Sequence, residues 1–161
     1  MKKRTALLIA VVLIILLIGF STSIAIHFYH SSNNIEALCS ACWRGDLDAA
    51  IRILRVNPGI VNDYDKNGWV PIQASSRLNG TIRIRMIELL LGYGANINAK
   101  APGGETMLHF SVYSRDYSLL KFLLTKGIDQ SIKISNDSGT ALDIARRIND
   151  RKAIKFLTNN R

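Results

Sequence analysis

The sequence predicts an all-α protein: an N-terminal transmembrane or signal-anchor helix, then a solenoid of about four helix-turn-helix repeats. Three observations carry this. Residues Thr5 to Ile26 contain no charged side chain, while the remainder has an ordinary soluble composition. From Ile35 onward, apolar residues recur at helical spacing in paired runs punctuated by Gly, Pro, Asn and Asp. The pairs also return in register. Leu38, Ile72, Leu108 and Leu142 open successive helices at spacings of 34, 36 and 34 residues, and Leu91, Leu124 and Leu157 are spaced by 33 and 33. Such a period marks stacked repeats, each too small to bury its own apolar face.

The first element is the apolar run. Residues 1–5 form a basic leader, 6–26 the membrane-spanning anchor and 27–34 a short linker. At about 1.5 Å per residue the run makes a helix of roughly 31 Å, the thickness of a hydrocarbon core. Lys2, Lys3 and Arg4 precede it and the next cation is Arg44, so the leader is cytoplasmic and the body lies across the membrane. Phe28 and Tyr29 suit the interface. The lysine-rich leader resembles bacterial export signals, which places the body on the periplasmic face of an inner membrane. Ser23-Ile24-Ala25 leaves open a cleaved signal and a soluble periplasmic product.

Residues 35–161 form the repeat domain, with units near 35–64, 65–98, 99–132 and 133–161. In the first, Leu38 to Gly45 is a short helix, and Asp46 caps a second, Leu47 to Arg55, that turns Ala50, Ile53 and Leu54 inward. Pro58-Gly59 ends it. In the second, Asn67-Gly68 makes a turn and Pro71 opens a helix, where its missing N–H is harmless. The paired helix is Arg83 to Leu91, with Ile84, Ile87, Leu90 and Leu91 inward. The third has the turn Ala101-Pro102-Gly103-Gly104, a helix from Thr106, and Leu119 to Leu124 closed by Gly127. The fourth has Thr140 to Ala145 and a last helix, Lys152 to Leu157.

These residues resemble the ankyrin-repeat family. Its pattern, Asp-x-x-Gly-x-Thr-Pro-Leu-His-x-Ala-Ala-x-x-Gly with a later Leu-Leu-x-x-Gly-Ala, is met or approximated by Asp65, Gly68, Pro71, Ile72 and Ser75. Gly104, Thr106, Leu108 and His109 match in the third unit, and Thr140, Ala141, Leu142 and Ala145 in the fourth. Leu90-Leu91 with Gly94-Ala95, and Leu123-Leu124 with Gly127, supply the tails. Val70 stands at the Thr position, Met107 replaces Pro, Gln73 and Asp143 replace His, and the fourth unit is one residue short before Thr140. The resemblance implies that Gly68, Pro71, Gly104, Thr106, His109 and Thr140 are structural, with Thr and His fastening adjacent loops. It also implies that Ala41, Ser75, Ser111 and Ala145 admit close helix approach.

Chemistry has little support. Cys39-Ser40-Ala41-Cys42 reads first as small apolar side chains at repeat positions. A local disulfide or a redox dithiol is the sharper alternative. His27, His30 and His109 are not spaced to complete a zinc site with these cysteines. There is no phosphate loop, dinucleotide fingerprint or nucleophile elbow. The chain is therefore read as non-enzymatic, without metal or cofactor.

What remains is binding. The net charge is +9, three units of it in the leader, leaving a basic body of +6 that permits anionic partners. The resemblance turns the hairpin tips and first helices of each pair toward a partner. These supply Trp43, Arg44, Tyr64, Lys66, Trp69, Arg77, Lys100, Glu105, Phe110, Tyr113 and Arg147, rich in the aromatic and arginine anchors of protein interfaces. Arg83, Arg85, Arg146, Arg151 and Lys152 read as solvated helix faces. The expectation is a monomeric, membrane-tethered module that binds a protein acidic at the contact, and not nucleic acid. A basic membrane-surface scaffold is the alternative, and a Cys39/Cys42 redox protein is less favoured. Small exported proteins of this family suggest, by analogy of fold, an immunity role against a secreted effector or protection of an envelope enzyme.

Overall fold

In a computed structural model the described residues are 34–134 and 139–159. The chain divides into two compact units, Met1–Asn34 and Ile35–Arg161, and nearly all described residues belong to the second. The expected leader, anchor and all but the last linker residue lie outside them. Among the described residues no helix is long and apolar enough to cross a membrane.

Eight α-helices run through the described residues as four pairs. They are α1 (34–44), α2 (Leu47–Val56), α3 (Pro71–Ala74), α4 (Gly80–Gly92), α5 (Met107–Tyr113), α6 (Tyr117–Thr125), α7 (Ala141–Arg147) and α8 (Arg151–Asn159). Single 3-10 turns, Pro58–Asn62 and Ser75–Arg77, follow α2 and α3. The repeats meet at tight hairpins rather than strands. The Asp65 N–H donates to the Trp69 carbonyl (2.8 Å), Ala101 N–H to Glu105 (2.7 Å) and Ile134 N–H to Gly139 (3.1 Å). Gly68 and Gly104 turn these hairpins at φ 79° and 90°, the left-handed region where a Cβ is unfavourable.

The second helices start on a common device. Asp46, Asp116 and Asp150 accept the N–H of Ala49 (2.9 Å), Leu119 (3.0 Å) and Ala153 (3.0 Å), satisfying donors that a helix start leaves unpaired. Each follows a left-handed residue that reverses the chain: Gly45 (φ 74°), Arg115 (φ 52°) and Asn149 (φ 57°). Pro71 sits at the start of α3 as expected.

One apolar core runs the length of the unit. Leu38, Leu54, Ile72, Met86, Leu90, Leu108, Leu119, Leu123 and Leu157 are all at least 98% buried, each contributing on the order of 1.5–3 kcal/mol. Ala41, Ser75, Ser111 and Ala145 are completely buried, where small residues let the pairs close.

The second pair departs from expectation. α4 begins at Gly80, three residues before Arg83, and reaches Gly92, so the extra length of this repeat extends the helix as well as the loop. Asn79 at its start makes no side-chain cap. Its buried face is Arg83, Met86, Ile87 and Leu90, while Ile84 and Leu91 are only half-buried. In α2, Ile53 is likewise half-buried.

Candidate interaction face

The residue after each helix-opening apolar side chain reaches the next hairpin. Cys39 directs its thiol at the Trp69 carbonyl (3.7 Å). The Gln73 side-chain amide donates to the Ala99 carbonyl. His109, 1% exposed, has Ile132 and Gly139 backbone beside its ring. Asp143 is the exception and turns back, accepting the Thr140 N–H (2.9 Å) and hydroxyl (2.8 Å) to cap α7.

Thr106 and His109 work differently from the expected loop-to-loop fasteners. The Thr106 N–H donates to His109 Nδ1 (3.1 Å) and the Thr106 hydroxyl lies 2.9 Å from the same nitrogen. Both belong to one repeat, so the pair closes the start of α5, and only His109 extends toward the next hairpin. An accepting Nδ1 leaves the proton on Nε2. Burial pushes the imidazole pKa down, against the opposing pull of Glu105 and of the neighbouring backbone.

A second set of contacts ties the second helices together. Arg83 Nη1 on α4 lies 3.1 Å from Asp116 Oδ2, and one repeat later the Tyr117 hydroxyl donates to both oxygens of Asp150 at 3.1 Å. Arg83 is thus not the solvated side chain the sequence suggested: it is 6% exposed. Burial pushes its pKa down and Asp116 pulls it back. The signal was available, because Arg83 and Tyr117 are 34 residues apart, as are Asp116 and Asp150.

The two cysteines are free and buried, which overturns the local-disulfide alternative. Cys39 spends its thiol on Trp69 and Cys42 is packed without exposure in the core. Burial pushes the Cys42 thiol up to about 12, and burial with Cys42 nearby pushes Cys39 up as well. Thiols so disposed are poor nucleophiles, which argues against a cycling dithiol. Among the described residues no group of His, Cys, Asp and Glu is arranged to hold a metal.

The expected partner-facing residues divide into two sets. Lys66, Lys100, Arg44 and Arg147 are exposed, as are Tyr64 (65%), Tyr113 (48%) and Trp43 (37%). Trp69, Phe110 and Glu105 are half-buried. Trp69 and Phe110 pack on each other with ring centres 6.5 Å apart, and the Glu105 carboxylate folds over Gly103, where a side chain would collide with it. The Arg77 guanidinium lies over the Trp43 ring, 4.5 Å from its centre. Arg44 donates to Ser40 Oγ (2.6 Å).

The acids on this side are largely occupied within the protein. Glu36 accepts the Lys66 N–H (2.7 Å), and Asp65 accepts those of Asn67 (2.9 Å) and Trp69 (2.8 Å). With Asp143 capping α7, the face is left with exposed arginine, lysine and aromatic side chains. The opposite side carries a groove of about 700 Å³ between α2 and α4, lined by Asp46, Leu47, Asp48, Ile51, Arg85 and Glu88 among others. Sequence reasoning did not find it, since it depends on how far α4 extends.

Comparison with known proteins follows the same geometry. The ankyrin-repeat family, described as three copies of the repeat, matches residues 38–134 and again 74–161. The chain belongs to the ankyrin-repeat family. Two curated relatives come from Microplitis demolitor bracovirus. I-Kappa-B like protein F1 is 32% identical over 61% of this chain and 60% of its own length, and I-Kappa-B like protein C1 is 26% identical over 80% and 75%. Alpha-latrotoxin-Lg1a of Latrodectus geometricus is 45% identical over 32% of this chain, a stretch that is 4% of the toxin. The chain thus covers less than two thirds of F1 and three quarters of C1. Ankyrin repeats serve as protein-binding modules, and the helical pairs, hairpins and clasp residues of this chain are those of such an array.

Proposed function

We propose that this ankyrin-repeat chain is a membrane-tethered binding module that takes a protein partner, acidic at the contact, on the face made by the hairpins and first helices. The observation that supports this most is the disposition of charge. Glu36, Asp65 and Asp143 are used inside the protein, while Arg44, Lys66, Arg77, Lys100 and Arg147 point their charge outward among exposed aromatics. Such a face steers an acidic partner and offers it rigid apolar anchors. The uncharged stretch 6–26 behind a basic leader supports the tether, with the repeats on the non-cytoplasmic side, which in a bacterium is the periplasm. Neutralising a secreted effector and protecting an envelope enzyme are two uses of such a module.

Photo-crosslinking tests the reading. A crosslinking amino acid at position 113 or 66 of the full chain should trap a protein in native membranes, and the adduct should disappear when Trp43 and Arg44 are both changed to alanine. A C-terminal reporter should be active only outside the cytoplasm. Crosslinks to lipid alone, or to the same proteins after the double substitution, would sink the reading in favour of a membrane-surface scaffold. A cytoplasmic reporter would sink the tethered topology.

A further inference from the structure

The repeat register places Trp43, Arg77, Tyr113 and Arg147 at one equivalent position, each five residues after Leu38, Ile72, Leu108 or Leu142. All four are exposed. The position therefore forms a stripe across the whole array in which an aromatic ring and an arginine alternate. Two members are in direct contact, Arg77 stacked at 4.5 Å on Trp43. A guanidinium held flat on a ring keeps its N–H edge available, and its planar fork fits a carboxylate in a bidentate pair. Less side-chain freedom is then lost on binding.

Resting on the interaction-module reading above, we propose that this stripe recognises an extended acidic segment of the partner, with two carboxylates at a fixed spacing around an apolar residue. Packed helices lie about 8–10 Å apart, so Arg77 and Arg147, two repeats apart, are separated by roughly 16–20 Å. An extended chain rises about 3.3 Å per residue. The two carboxylates then fall about five or six residues apart, and the residue midway between them meets Tyr113. A single-stranded nucleic acid would also stack on aromatic rings. It carries a phosphate on every nucleotide, however, and two arginines separated by a tyrosine neutralise too few of them to hold it.

Selection from a displayed library of random 12-residue peptides, using the full chain in detergent micelles, tests the stripe. Enriched peptides should carry Asp or Glu pairs five or six residues apart with an apolar residue between them. Their binding should fall at least tenfold in Arg77→Ala and in Arg147→Ala, variants whose circular dichroism should match the parent because both sites are exposed. Arg151→Ala, on α8, should bind unchanged. Enriched peptides without the acid pair, or undiminished binding in both variants, would overturn the stripe. If those peptides still lost binding in Trp69→Ala, the protein-binding face would stand without it. Absence of any enriched peptide, or tighter binding of a thymidine oligonucleotide than of every selected peptide, would overturn both.

Discussion

At the scale of single residues, His109 and Arg115 carry the sharpest consequences. Burial lowers the folded-state pKa of His109, so the unfolded chain takes up a proton more readily than the folded one. Stability is then intact above the unfolded value of about 6.5 and falls as the pH drops through it toward the lower folded pKa. Urea midpoints at about pH 7.5 and 5.5 should show a larger loss for the parent than for His109→Gln. Glutamine is a compatible replacement because Gln73 occupies the same repeat position. Arg115 holds φ 52° where the first repeat has Gly45. Its pairing with Asp150, at 3.8 Å and with Arg115 exposed, contributes little. Arg115→Gly should therefore raise stability by about 0.5–1 kcal/mol in denaturant titration, since it removes left-handed strain at the expense of some unfolded-state entropy. The family pattern foretold Gly68 and Gly104, but nothing local marked Arg115, because its φ is imposed by the turn into α6.

At the scale of elements, α4 and α6 are joined by a pair whose two ends are unequal. The Arg83 side chain is 8% exposed and that of Asp116 is 21% exposed, and Asp116 also caps α6. Asp116→Ala removes the cap and strands a buried guanidinium, so it should cost about 3 kcal/mol. Arg83→Met leaves a carboxylate that still caps and reaches water, and should cost no more than about 1 kcal/mol. Equal losses in denaturant titration would contradict this asymmetry. Most elements were legible in the sequence, since caps such as Asp46 and the Pro71 start are local signals. The start of α4 was not. Gly80 and Thr81 read as loop, and tertiary packing outweighs that propensity here. Arg83 was misread for a related reason: a cation on a helix is normally solvated, and its partner lies 33 residues away.

At the scale of the whole unit, the core is shared rather than divided among repeats. Leu157 on α8 is 1% exposed, and its truncation to alanine should cost about 2–5 kcal/mol. Trp43 and Trp69 lie in the first two repeats and report on the far end of the array. Their fluorescence midpoint should move with the helical signal in Leu157→Ala; separate transitions would show that the last repeat melts alone. The repeat architecture was legible from period alone. The face was legible only as a set of residue types. Which members stack on each other, as Trp69 on Phe110 and Arg77 on Trp43, depends on the spacing between repeats, which the sequence does not state.

The clasp position has one further consequence. Cys39, Gln73 and His109 hold three successive seams with a thiol, an amide and an imidazole. An array uniform in backbone thus has seams that differ in what weakens them. Alkylating agents and oxidants address the first, acid addresses the third, and the second responds to neither. Mild stress of one chemical kind would open the solenoid at a chosen joint, leaving the neighbouring joints closed.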